Sequence, residues 1–204
     1  RGQVIRLPSF YLLITSFGLI FFAVPGLFFH TFPYLTDQGL GSGIAVATVA
    51  LTAIGSGLGS LALGFLAERY NPRLILTWDF LFISIAPILL LIVDTPAEAL
   101  LWGFFLGILQ GGMFTVQQVI LADYYGRGSL GAVRGVAWPV QMWANAAGPM
   151  SASIAYDYTG NYVFILSLFA FLSLAASLCV YLSRPPSKIT LIRLRELEKG
   201  RART

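Results

Sequence analysis

Apolar residues fall in six long blocks along this chain, and the breaks between them hold nearly all of its charge. The blocks cover about 10–34, 44–66, 74–93, 100–122, 135–156 and 163–182. Twenty helical residues rise about 30 Å, the thickness of a bilayer's hydrocarbon core. The pattern therefore predicts an all-α integral membrane protein of six transmembrane helices, with residues 1–9 as a lead-in and 183–204 as a basic tail. The first block holds Pro25-Gly26 and Pro33, so a kink or broken helix is expected there. In the second, Thr48, Thr52, Ser56 and Ser60 recur every four residues beside Gly55 and Gly59, which suits close approach by another helix. The fourth carries Gly103, Gly107 and Gly111 at the same interval, with Gln110, Phe114, Gln117 and Gln118 on or beside that stripe. In the fifth, Trp138, Gln141, Asn145, Gly148 and Ala152 stand at steps of three and four, one helical face, and Pro139 and Pro149 should bend it. The sixth is almost wholly large and apolar, as for a helix turned to lipid.

The break from Gly64 to Arg73 places Glu68, Arg69, Asn71-Pro72 and Arg73 between two such blocks. An apolar run that ends in charge, turns at proline and starts again describes a membrane hairpin. Its charges lie at the membrane surface, either as interfacial anchors or as partners of one another and of neighbouring helix ends.

Composition fixes the solvent. The 204 residues are 57% hydrophobic and 11% charged, against about 25% charged in a typical soluble domain. The net charge of +4 raises the possibility of a nucleic-acid partner, but its placement argues against one. With breaks assigned alternately to two sides, all 13 lysines and arginines fall on one side. The other holds Asp37, Asp94, Glu98 and Asp157. Basic loops mark the cytoplasmic side, so both termini are expected there and the number of spans is even. The setting is a cell membrane, plasma or inner, crossed several times. Cys179 has no partner for a disulfide or metal site, and neither metal nor cofactor is expected. The chain opens Arg-Gly-Gln without an initiator Met, which reads as a piece of a longer protein.

A faint internal repeat is visible. Gly59 and Gly148 each precede an acid, Glu68 and Asp157, by nine residues, and the two pairs stand 89 apart. Three helices followed by three similar ones lie upside down relative to each other, an inverted repeat common in secondary transporters.

Span centres hold no Lys or Arg, so a site within them would be neutral: Gln110, Gln117, Gln118, Gln141, Asn145 and His30, with Phe114 and Trp138 beside them. These side chains would line a solute path or bond helix to helix. His30 would couple protons or sit at the interface. Asp79 is expected as an interfacial acid meeting Arg69 or Arg73, ahead of a role in coupling. An intramembrane serine hydrolase built on Ser56 or Ser60 is disfavoured, because Ile54 stands where a Gly-x-Ser-Gly signature needs glycine.

Gly64-x3-Glu68-Arg69-x3-Arg73 resembles the cytoplasmic loop signature of the major facilitator superfamily, which follows the second helix of each six-helix half. Asp123-Tyr-Tyr-Gly-Arg127 with Gly131 to Gly135, including Arg134, resembles the loop before the eleventh helix in monocarboxylate-transporter-like and oxalate/formate-antiporter-like members. Gly148-Pro149 through Gly160 is similar to the end of that helix. The resemblance implies helices seven to twelve of a twelve-helix carrier, a 3+3 inverted repeat. It also implies a first half on the same chain or a second subunit, and a small solute moved by alternating access, coupled to H+ or to an exchanged solute. Spans one and four would line the path, and spans two and five would turn their small-residue faces to the missing half. A half-size relative without transport of its own is the alternative. The sequence departs from the pattern at Glu68, where Asp is usual, at Asn71-Pro72, where Gly is usual, and in lacking a cationic residue inside spans two and five.

Overall fold

The computed structural model describes residues 7–126 and 129–186. Arg127, most of the lead-in and most of the basic tail lie outside them. Six helices follow one another: α1 (Pro8–Asp37), α2 (Ser42–Arg69), α3 (Pro72–Leu90), α4 (Pro96–Tyr125), α5 (Leu130–Thr159) and α6 (Val163–Leu182). Local chemistry marks their ends. The Asn71 side chain accepts from the Arg73 N–H at 3.0 Å, and Pro72 occupies the first helical position, where its missing N–H costs nothing. Thr95 and Glu98 form a reciprocal capping box around Pro96. Gly126 and Gly160 end α4 and α5 at φ 75° and 67°, a region L side chains rarely enter.

Five helices are long and apolar enough to cross a membrane. The exception is α5, which mixes Gly, Ala, Ser and Pro with Gln141 and Asn145 and so lacks the apolar weight of its neighbours. Of the kink or break expected in the first helix, the break is absent. α1 runs unbroken through Pro25-Gly26 and Pro33, as proline in a membrane helix can where neighbouring helices support it.

Packing is unequal. α2 lies along α4, α1 along α5 and α3 along α6; α1 also meets α6, and α3 meets α4. By contrast, α4 with α5, α5 with α6, and α2 with α3 touch little. The α2–α4 pair is the tightest because both faces lack side chains. A Cβ added at Gly55 would come within 2.6 Å of the Phe104 carbonyl, and one at Gly103 within 2.6 Å of the Thr48 carbonyl. At Gly59, Gly107 and Gly111 it would drive into the carbonyls of Ile108, Thr52 and Ser56. Thr48 and Thr52 donate to carbonyls of their own helix, at 2.9 and 3.0 Å, and so bring no unpaired hydroxyl to the contact. Further along, Ser60 bonds Thr115 at 2.6 Å.

This corrects the expected use of the small-residue faces. They meet within this bundle, because two glycine-lined backbones satisfy each other and leave nothing for an outside partner to fill. On α5 the same holds for Gly148, whose backbone presses on the Phe22 carbonyl of α1. The sides left open are different ones. α2 turns Val46, Ile54, Leu58, Leu61 and Phe65 outward, and α6 turns out Phe164, Phe171, Leu174 and Leu178. Water would not tolerate apolar faces of that extent; lipid or another membrane helix does.

The outer helices are pinned by single donors to backbone carbonyls. Ser16 bonds Ala176 at 2.8 Å, Ser177 bonds Thr77 at 2.7 Å, and the Trp102 indole bonds Ala86 at 2.8 Å.

Two predictions follow from this geometry. Gly107→Val should lower the thermal stability of the purified protein in detergent by roughly 1–3 kcal/mol, the usual cost of overpacking. Ala53→Val, on the outward side of α2, should change it little. At the start of α4, backbone N–H groups of Asp94 and Thr95 hold the Glu98 carboxyl below its usual range. A depressed acid stabilises above its unfolded pKa and loses that contribution as pH falls through the folded one. Hydrogen exchange at the first turn of α4 should therefore quicken only in clearly acid solution, and Glu98→Gln should remove that pH dependence.

Candidate functional site

On α5 the face turned to α1 is Val133, Ala137, Gln141, Gly148 and Ala152. The stripe read from sequence is thus split. Gln141 is 4% exposed with its Nε2 unpartnered, whereas Trp138 is 56% exposed and Asn145 is half-buried at the edge. On α4, Gln117 is 2% exposed and its Oε1 has no partner. Gln110 is half-buried, and Phe114 lies edge-on to Phe21 of α1 with ring centroids 5.5 Å apart. α4 and α5 barely touch along the seam between them, and Phe114 and Trp138 are exposed on the two helices. One bond crosses it: Arg134 of α5 donates to the Gln118 Oε1 of α4 at 2.5 Å. Arg134 thus reaches an amide of the candidate path, where the sequence placed it only as a loop charge.

His30 braces α1 against α5. Its Nε2 lies 3.1 Å from the Pro149 carbonyl and 3.4 Å from the Ser153 hydroxyl. A carbonyl can only accept, so that nitrogen carries the hydrogen. The other ring nitrogen, Nδ1, is buried and unpartnered.

At the opposite end, the basic-loop residues are not drawn into one network. The Arg69 guanidinium lies 4.2 Å over the Phe65 ring, and the Arg73 Nε is buried without a partner. Glu68 and Asp123 are exposed, and Gly64 leaves room for Thr115 of α4. Asp79 corrects the expected interfacial pairing. It is 3% exposed, and neither carboxyl oxygen has a hydrogen-bond partner among the described residues. Six residues along one helix turn it well away from Arg73.

One feature carried no sequence signal beyond aromatic residues near span ends. Tyr34, Asp37, Gln38, Tyr156, Asn161 and Tyr162 line a cleft of about 320 Å³ where α1, α5 and α6 meet. Tyr156 donates to Asp37 at 3.1 Å and stacks on Tyr162 at 4.4 Å, and Tyr34 meets Tyr162 edge-on at 5.6 Å. Burial, followed by the Asp37, Tyr156 and Asp157 charges, pushes the Tyr162 hydroxyl up to about 12.

The chain matches the family model of the Major Facilitator Superfamily over residues 1–149 and again over 48–203. A comparison with curated proteins returned no match.

If the seam between α4 and α5 is aqueous, single cysteines at Trp138 and Asn145 should react with a small water-soluble thiol reagent, in a Cys179→Ser background. Cysteines at Gln117 and Gln141 should stay protected. Equal reactivity at all four would show that the buried amides are not held in the packing described.

Proposed function

The chain belongs to the Major Facilitator Superfamily, and on that premise we propose that it is the C-terminal six-helix half of a secondary transporter that moves a small solute by alternating access. Membership makes it a multi-pass membrane protein of a transport family rather than an enzyme. The observation that carries the finer reading is the exchange symmetry of the helix contacts. Replacing α1, α2 and α3 by α4, α5 and α6, and the reverse, turns the α1–α5 pair into α4–α2 and the α1–α6 pair into α4–α3. The α3–α6 pair maps onto itself. The same exchange relates individual atoms, since Gly59 of α2 presses on the Ile108 carbonyl of α4 as Gly148 of α5 presses on that of Phe22 in α1. Both relations support a 3+3 inverted repeat, the construction that lets two triplets rock about a central site.

In this reading α1 and α4 line the path, and α5 is the sixth span, its polar side turned to the cavity instead of to lipid. The outward apolar side of α2 and the exposed side of α5 meet the first six-helix unit, on the same chain or a second subunit. Gln110, Phe114, Trp138, Asn145 and the Gln118–Arg134 bond border the solute path, and His30 fixes α1 to α5 at its outer end. Glu68, Arg69, Arg73 and Asp123, not joined to one another here, are left to make cytoplasmic charge contacts with the first half that hold one state. Both termini lie on that side. A path bordered by amides and aromatic rings, with Arg134 only at its rim, offers hydrogen bonds and stacking more than a buried cation. The loop likeness to carboxylate carriers therefore calls for a cation supplied by the first half.

Reconstitution of the full protein in liposomes tests this. Saturable solute flux is expected. The double variant Glu68→Gln, Arg69→Gln should slow it roughly fivefold or more, the scale of a state preference of about 1 kcal/mol, with insertion and stability unchanged. Flux untouched by the double change would remove the gating role.

A further inference from the structure

We propose that Asp79 is a proton-binding site of this bundle, carrying a proton on its carboxyl in the packed arrangement described here and releasing it when α3 and α4 part at Gly112. The first observation is the isolation of the group. Asp79 is 3% exposed, and both of its oxygens lack partners among the described residues. Buried polar groups are nearly always hydrogen-bonded, and a charge inside a span is costly enough to be rare. Charged or titratable groups stand on every element packed against α3: Tyr11 on α1, Glu68 and Arg69 on α2, Asp123 on α4 and Cys179 on α6. None is a hydrogen-bond partner of the carboxyl, whose two oxygens are both buried. A metal cation would need several oxygen ligands around it, so the occupant the site suits is a proton.

The second observation is where the acid sits. A Cβ added to Gly112 of α4 would lie 3.2 Å from the Asp79 Oδ1 and would collide with Leu63 of α2. The matching contact in the other triplet is Gly26 of α1, which receives the ring of Phe169 from α6. Gly26 and Gly112 stand 86 residues apart, and Asp79 and Phe169 stand 90 apart. The first socket is filled by an aromatic ring, and the second by Leu63 with the Asp79 carboxyl at its edge. Apolar side chains therefore serve this packing, and nothing in it requires the acid.

Third, the site lies close to the basic-loop end of the bundle. Asp79 lies seven residues into α3 from Pro72, a rise of about 10 Å, and α4 is the helix whose opposite side carries Phe114 and Gln118. Parting of α3 from α4 would open the carboxyl to water from the basic-loop end. The O–H bond breaks there, and the proton passes to a water molecule; uptake reverses these events. That this exchange drives solute movement rests on the transporter reading, whereas the site itself does not.

Infrared difference spectroscopy of the full protein in liposomes reads the proton without any solute. Wild type minus Asp79→Leu, and wild type minus Asp79→Asn, should each show one carbonyl band of a protonated carboxylic acid at neutral pH. That band should decline reversibly as pH is raised while the fold persists, and Asp79→Glu should restore a shifted band. Asp79→Leu should also raise the melting temperature, as expected if packing has no need of the acid. A difference spectrum with no such band, or a band that persists unchanged until the protein unfolds, would overturn the proposal. Flux that survives without the band would leave the transporter reading intact, and a titrating band without flux would leave the site intact.

Discussion

The contact between α2 and α4 sets the shape of this bundle. Lipid tails are as apolar as leucine, so nothing presses two membrane helices together except how closely their atoms meet. Gly55, Gly59, Gly103, Gly107 and Gly111 remove the side chains that would hold the axes apart, and carbonyls such as those of Thr52 and Ser56 fill the space. With that face consumed, α2 has only its larger residues left to show the outside. α4 is in turn placed so that Phe114 and Gln118 look toward α1 and α5. The polar residues near the middle of the bundle owe their arrangement to glycines that carry no chemistry of their own.

The same economy appears, less tightly, between α1 and α5 at Gly148, and the remaining helices depend on sparse polar clasps. Each clasp joins a hydroxyl or indole donor to a main-chain carbonyl, as between Ser16 and Ala176 or Trp102 and Ala86. Such bonds average about 0.6 kcal/mol in a membrane setting. Apolar packing does the rest, as where Leu76, Phe80 and Ile83 of α3 join Ala176 and Val180 of α6 in one buried cluster. α5 is the helix whose composition is least suited to lipid.

Much of the helical layout was legible in the sequence because crossing a bilayer takes about twenty apolar residues and the charged breaks separate such runs. The turn at Asn71-Pro72 could be read from residue type. Partner choice was not legible. Thr48, Thr52 and Gly55 announce close approach but not by which helix, so the face assigned to an outside partner proved to be filled by α4. The site was legible only in part. Helical spacing put Trp138, Gln141 and Asn145 on one stripe, yet a stripe is wide enough for Gln141 to enter the packing while Trp138 leaves it. Asp79 was misjudged for a related reason. Its distance along the chain from Arg73 suggested pairing, whereas the rotation of six helical residues prevents it. The cleft of Tyr34, Tyr156 and Tyr162 joins residues more than a hundred positions apart and had no local mark.

All of this presupposes that the breaks between helices alternate between the two faces of a membrane. Membrane-impermeant labelling of single cysteines in intact cells, in a Cys179→Ser background, measures that directly. Cysteines at Gln38 and Asn161 are expected to react from outside, and one at Tyr70 to react only after the cells are opened. Reaction at Tyr70 in intact cells, with none at Gln38 or Asn161, would contradict the arrangement on which the pathway, the basic loop and the buried acid all depend.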